Sequence, residues 1–265
     1  MKKARMFMIL LIGVCFVFSA NSVLAQKVVS GLEENIAFSD PSKPGRVDIR
    51  WNNGKVIIRG YDGNEVKIER TDKDRDDREE RAKARGLRRV FMGDAIEYEE
   101  SNNRIDISCY SNPKSVNVLI SVPENTFVSF ENKLYGSVEI EKISGEIEVQ
   151  TQYGEIKLDR VTGPVVAYST YGEISAMLEN VVTESPMSFK SGYSDIDLSL
   201  PVDIKATIDL STTDEIWVAE EFEMDTERDS RRRSSTKRRM FNVNGGGVEI
   251  EISSNYGSIY IRKNR

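Results

Sequence analysis

Three Tyr-Gly pairs, Tyr135-Gly136, Tyr153-Gly154 and Tyr171-Gly172, recur at a step of 18 residues. Aromatic rings at a fixed step suit stacking, because each ring brings a π face, an edge and a phenol hydroxyl. If the chain returns to one place every 18 residues, the rings form a column at the spacing of neighbouring strands, about 4.8 Å. Turned to solvent, Tyr135, Tyr153 and Tyr171 form an aromatic ladder on which sugar rings could stack. Turned into the corner, they form a structural stack with each hydroxyl satisfied at the edge. Replacing all three with Ala separates these outcomes: lost stability marks a structural stack, and lost binding alone marks a ladder.

Carboxylates accompany the rings. Glu155 and Glu173 continue the position of Ser137, and Glu139, Glu146, Glu148, Asp195 and Asp197 fall on outward positions nearby. Paired carboxylates could serve glycoside hydrolysis or bind calcium. Outward polar residues are also what any half-buried strand requires, and a solvated face is the simpler reading. The calcium nonapeptide with paired glycines and an Asp at every turn is absent. So are a nucleophile elbow, a phosphate loop and a dinucleotide fingerprint. The chain has no histidine, which excludes His triads, His acid–base chemistry and the usual His-containing zinc sets. No catalytic, cofactor-binding or metal-ligating residue is assigned, no cofactor is expected, and the chain reads as a non-enzyme.

A third group is basic. Residues 219–240 begin acidic and end with Arg231, Arg232, Arg233, Lys237, Arg238 and Arg239, around Ser234 and Ser235. They read as a solvated mobile loop or a hairpin extension. A sharper reading is a basic finger touching anionic glycan or lipid headgroups, and a third is an exposed protease site.

The elements that must position these groups are strands. After Gly136, Val138 and Ile140 alternate with Ser137 and Glu139; Ile147 and Val149 alternate with Glu146 and Glu148; Ile156 and Leu158 alternate with Glu155 and Lys157. That is period two, the strand signal. A second glycine lies midway at Gly145 and Gly163, so each period is two nine-residue arms. Glycine at these corners is expected to supply a positive φ. One such turn is too small to bury a core alone, so successive turns must stack edge to edge as parallel strands. Gly45, Gly54 and Gly63 repeat the nine-residue arm, with Val47/Ile49, Val56/Ile58 and Val66/Ile68 after them. Later, Tyr193-Ser194 stands where Tyr-Gly would, 22 residues after Tyr171, and the pair returns at Tyr256-Gly257 in what reads as the last turn. Cys109 shares the parity of Ile105 and Ile107 and should point inward as a small buried side chain.

Residues 1–25 read as a signal peptide: Lys2, Lys3 and Arg5, then an apolar run too short to span a membrane, then the small-residue site Val23-Leu24-Ala25. Removing it leaves 34 of the 37 Lys+Arg against 43 Asp+Glu. So acidic a chain is a poor nucleic-acid binder, and membrane contact is expected only through the signal or the basic loop. Residues 26–44 read as an N-terminal cap or linker. The remainder, 45–265, reads as one solenoid domain with insertions at 71–92 and 219–240. The first insertion is almost all charged, acids early and bases late, which suits a surface helix.

The stretches GKVIIRGYDGNEVKIE, QYGEIKL, TYGEISA and GGGVEIEISSNYGSIYIRK resemble the bacterial putative adhesin family of exported β-strand-repeat proteins. The resemblance covers most of residues 45–263. It implies an all-β, right-handed, single-stranded parallel β-solenoid (β-helix), into which the charged helix and the late basic loop would be insertions, and which the signal would place in the periplasm or on the cell surface. It brings no catalytic motif. The expected function is a non-catalytic adhesin or envelope-interaction protein whose partner is a surface glycan or another envelope component. The alternative is a polysaccharide-cleaving β-helix enzyme, which would need a long groove with clustered carboxylates and bases from inserted loops. The short, even arms favour the first.

Overall fold

The computed structural model describes residues 26–29, 32–71, 85–86, 95–111, 114–181, 185–222, 224–227 and 236–264. The signal expected over residues 1–25 and the bases Arg231, Arg232 and Arg233 lie outside the described residues. The charged helix expected over 71–92 lies outside them too, except for positions 71, 85 and 86. The described residues form twenty strands and no helix.

The strands make one curled sheet with two rows. The first row runs β1 (Lys27–Val28), β5 (Glu97–Ser101), β6 (Arg104–Cys109), the first half of β3 (Arg46–Tyr61), the first half of β8 (Phe127–Glu141), β9 (Ile147–Thr151), β11 (Val165–Ser169), β13 (Met187–Ser191), β19 (Val248–Ser254), β15 (Ala206–Thr212), β18 (Lys237–Val243) and β17 (Met224–Glu227). The second runs β2 (Glu33–Ala37), β4 (Glu65–Arg70), β7 (Val118–Pro123), the second halves of β3 and β8, β10 (Ile156–Val161), β12 (Ile174–Leu178), β14 (Ile196–Leu200), β20 (Ile259–Lys263) and β16 (Ile216–Val218). Pairing is parallel through the body of each row. Antiparallel pairs join β1, β5, β2, β4, β17 and β18 to the ends.

Alternation dictates this arrangement. Each turn gives one strand to each row, and inward residues meet inward residues: Ile156 lies between Val138 and Ile174, and Ala167 between Val149 and Phe189. A one-residue slip would drive a whole apolar set into water, so the register is tightly held. The inward residues of both rows form one core. Cys109 is buried in it, as its parity requires.

The order of the turns departs from chain order at both ends. Residues 46–61 lie between the later β6/β7 turn and β8. The β19/β20 turn, which ends the chain, lies between β13/β14 and β15/β16. Residues 248–261, expected to form the terminal turn, are therefore next to last in space. The arm with Val66 and Ile68 is a second departure: it belongs to β4, which runs antiparallel to β7 instead of continuing the parallel stack.

Candidate functional site

The corner between the rows is built from the inside out. A column of small polar residues, Thr151, Ser169, Ser191, Ser254 and Thr212, is buried beneath it. Ser169 Oγ accepts the Gly172 N–H at 2.8 Å, Ser191 Oγ the Ser194 N–H at 3.0 Å, and Ser254 Oγ the Gly257 N–H at 2.9 Å. The hydroxyls also tie one turn to the next. Ser254 Oγ donates to the Ser194 carbonyl at 3.0 Å, and Thr212 Oγ1 to the Gly257 carbonyl at 2.7 Å. Buried polar groups must be paired, and here the corner's own backbone pairs them.

At this corner Gly54 takes the expected positive φ, +117°, but Gly136, Gly154, Gly172 and Gly257 do not, and they are required for another reason. A Cβ on Gly154 would instead lie 1.8 Å from the Gly136 carbonyl oxygen, and one on Gly172 would lie 2.0 Å from that of Gly154. Neighbouring turns approach too closely for a side chain. At the opposite corner, positive φ falls on Lys142, Arg160 and Asn180.

Held this way, the tyrosines between hydroxyl and glycine point outward. Tyr135, Tyr153 and Tyr171 stack with centroids 5.2 and 4.9 Å apart. The ladder then continues through Tyr193 and Tyr256 at 4.8 and 5.1 Å, making five rungs. Exposure runs from 44% at Tyr171 to 69% at Tyr135 and 65% at Tyr256. The end rings are the most exposed because each has one neighbour. Among the described residues none of the five hydroxyls has a protein partner, so the solvent-facing arrangement holds. The centroid spacings fit the offset-stacked range of about 4.5–7 Å. The rings therefore cover one another's faces in part and present edges and hydroxyls along the column. The Ser/Thr-x-Tyr-Gly/Ser motif at residues 151–154, 169–172, 191–194 and 254–257 is the signal that finds the last two rungs. Regular spacing misses them, because Tyr256 reaches its place by a detour of the chain.

Charge differs sharply between this corner and the sheet surface. On the second row Glu139 sits between Lys55 at 2.7 Å and Lys157 at 2.5 Å. Those two ammonium groups, Lys157 foremost, hold its carboxyl below the usual range. Arg59 pairs with Glu141 at 2.7 Å, and Arg262 with Asp197 at 2.8 Å. On the first row Arg46 and Arg104 close on Asp48 at 2.8 and 2.7 Å, and Glu148 lies 3.6 Å from Arg46. Beside the tyrosines, by contrast, Glu155, Glu173 and Asp195 follow one another on successive turns. Asp195 accepts the Ser258 N–H at 2.8 Å. Among the described residues neither Glu155 nor Glu173 meets a Lys or Arg. Burial first, then the charges of Glu155, Asp195 and Asp197, push the Glu173 carboxyl up.

These opposite shifts give opposite pH dependences. A raised carboxyl pKa means stability is lost as pH rises through the carboxylate range; a lowered one means stability is lost as pH falls through it. Glu173→Gln should therefore raise the melting temperature at neutral pH, with the gain vanishing near pH ~4. Glu139→Gln should lower it at neutral pH, with the loss fading in acid. Thermal melts across pH check both, and matching profiles for the two variants would refute the assignment.

Of the two readings given for the basic group, its described residues follow the hairpin extension. Lys237, Arg238 and Arg239 are on strand β18, paired antiparallel to β15, not in a loop. Arg238 Nε donates to Asp209 Oδ1 at 3.0 Å, so that base is held on the sheet surface. Strand β17 completes a hairpin with β18. Among the described residues no group of three or more Cys, Asp or Glu converges as metal ligands would.

No protein-family model matches the sequence, and no curated protein matches it. Two solved bacterial structures are similar. One is a putative cell adhesion protein from Clostridium sporogenes, at 15% identity and a TM-score of 0.46, covering 88% of this chain and 99% of that one. The other is a putative adhesin from Bacteroides fragilis, at 13% identity and a TM-score of 0.33, covering 90% and 97%. At these values neither likeness carries an argument about function.

Proposed function

We propose that this chain is an exported, non-catalytic, right-handed β-solenoid that acts as an adhesin or envelope-interaction module, with the five-tyrosine corner as its binding edge. The observation that carries this reading is the unbroken, solvent-facing column of aromatic edges with unpartnered hydroxyls. A patch of that size needs a reason, because exposed aromatic surface in a row is a recognised mark of an interaction site. A linear glycan suits it. The ladder is one-dimensional, regular and about 20 Å long at strand spacing, and its hydroxyls and carboxylates can exchange hydrogen bonds with sugar hydroxyls while the ring edges cover C–H faces. Several charges of the two rows are held in cross-strand ion pairs, whereas Glu155 and Glu173 at the corner have no such pair among the described residues.

The test is a glycan array with a turnover assay on the same sugars. The protein should bind linear glycans without cleaving them. Tyr153→Ser/Tyr171→Ser/Tyr193→Ser should lose binding by about tenfold or more, since each lost hydroxyl hydrogen bond is worth roughly 0.5–1.5 kcal/mol. The fold should survive, because the rings lie outside the core. Cleavage of a bound sugar would replace this reading with the glycan-cleaving enzyme.

A further inference from the structure

Resting on that reading, we infer that the ligand of the tyrosine corner is a cationic amino-sugar chain, its ammonium groups set against Glu155 and Glu173. The docking surface is the ladder itself; charge and spacing choose its occupant.

Charge comes first. Lys55, Lys157, Arg59 and Arg262 are drawn to carboxylates on the second row, yet none reaches Glu155 or Glu173. The carboxylates stand two residues after their tyrosines, so each rung from Tyr153 to Tyr193 offers a ring edge with an acid beside it: Glu155, Glu173, Asp195. Asp195 is already engaged by the Ser258 amide, which leaves the first two as the open anions. An ammonium group beside a carboxylate gains an ion pair, and the phenol hydroxyl of the rung can accept a hydrogen bond from it. The rung at Tyr135 carries Ser137 in place of an acid, so the cationic contacts concentrate on the middle of the ladder.

Spacing then separates two cationic occupants. The rungs repeat at 4.8–5.2 Å. An extended basic peptide presents same-side residues about 6.7 Å apart, twice the rise of a strand residue. It falls out of step by most of a rung after three contacts. An extended β-linked pyranose chain advances by close to one rung per sugar and stays in step along the whole ladder. A polymer with one amine per sugar therefore keeps the period, and because successive β-1,4-linked sugars turn opposite edges to a surface, every second amine faces the acids and is shared by Glu155 and Glu173 on adjacent turns.

The experiment compares four ligands by calorimetry on the whole protein, at a pH where the amine is protonated. They are a β-linked glucosamine hexamer, its N-acetylated counterpart, an uncharged glucose hexamer and an oligolysine. The glucosamine hexamer should bind about tenfold tighter or more than the N-acetylated one, and the advantage should shrink with added salt. Glu155→Gln/Glu173→Gln, checked for folding by circular dichroism, should abolish the advantage while leaving weak sugar binding. Equal binding of the amine and N-acetyl hexamers would overturn the cationic assignment and leave glycan binding standing. Tighter binding of oligolysine would overturn it in favour of a peptide. Binding of no sugar at all would overturn both this inference and the reading it rests on.

Discussion

Gly154→Ala is expected to destabilise the protein by about 3 kcal/mol or more, through collision with the neighbouring turn. The added Cβ would lie 1.8 Å from the Gly136 carbonyl oxygen and 2.5 Å from its carbon. Both atoms are backbone, held in a corner whose hydrogen bonds run from turn to turn. Val138 N–H donates to the Glu155 carbonyl at 3.0 Å, and Ile156 N–H to that of Glu173 at 2.9 Å. Neither side can yield without separating strands, so relief by side-chain motion is closed. Gly245 is the control. It has φ +84° with nothing within 4 Å of an added Cβ. Gly245→Ala should therefore cost only the left-handed strain, about 1–2 kcal/mol. Urea unfolding of both variants checks the order. If Gly245→Ala proves the costlier, close approach is not why the repeat keeps glycine at position 154.

Ending the chain after Gly247 is expected to remove far more than the residues deleted. The lost turn buries Val248, Ile250, Ile252, Ile259 and Ile261, on the order of 10 kcal/mol at about 2 per side chain. Because that turn is next to last in space, its loss takes away the parallel partner of β15 and, among the described residues, the sole partner of β16. It also bares the edge of β13 and β14. Amide exchange should show β15, β16 and β18 losing protection with it, while β8 through β12 keep theirs. If the turns stacked in chain order, the damage would stop at the deleted strands. Retained protection across residues 206–218 would overturn this account of the C-terminal end.

Much of the fold was legible because period-two alternation is a local property. Val138/Ile140, Ile147/Val149 and Ile156/Leu158 announce their inward faces without any partner in view. The matching 18-residue step places Tyr135, Tyr153 and Tyr171 on one corner, and the structure finds them there. Lys237, Arg238 and Arg239 were harder to read. A run of bases left a solvated loop and a hairpin extension both open, and alternation through Met240, Phe241, Asn242 and Val243 carries them into strand β18 of a hairpin. The glycine corner was read by its commonest use, positive φ, which Gly54 shows, while at Gly154 and Gly172 the cause is the backbone of the neighbouring turn.

By itself, then, the sequence determined the strands, their inward faces, the length of a turn and three rungs of the ladder. Each of these follows from the order of residues within one or two turns. The tertiary structure alone decided which turn lies beside which, and so carried the ladder on to Tyr193 and Tyr256 and left Glu155 and Glu173 beside it without a cation among the described residues. The physical reason is that every turn offers much the same backbone edge and the same alternation. A repeat pattern cannot distinguish one neighbour from another, and the choice falls to contacts between residues far apart in the chain.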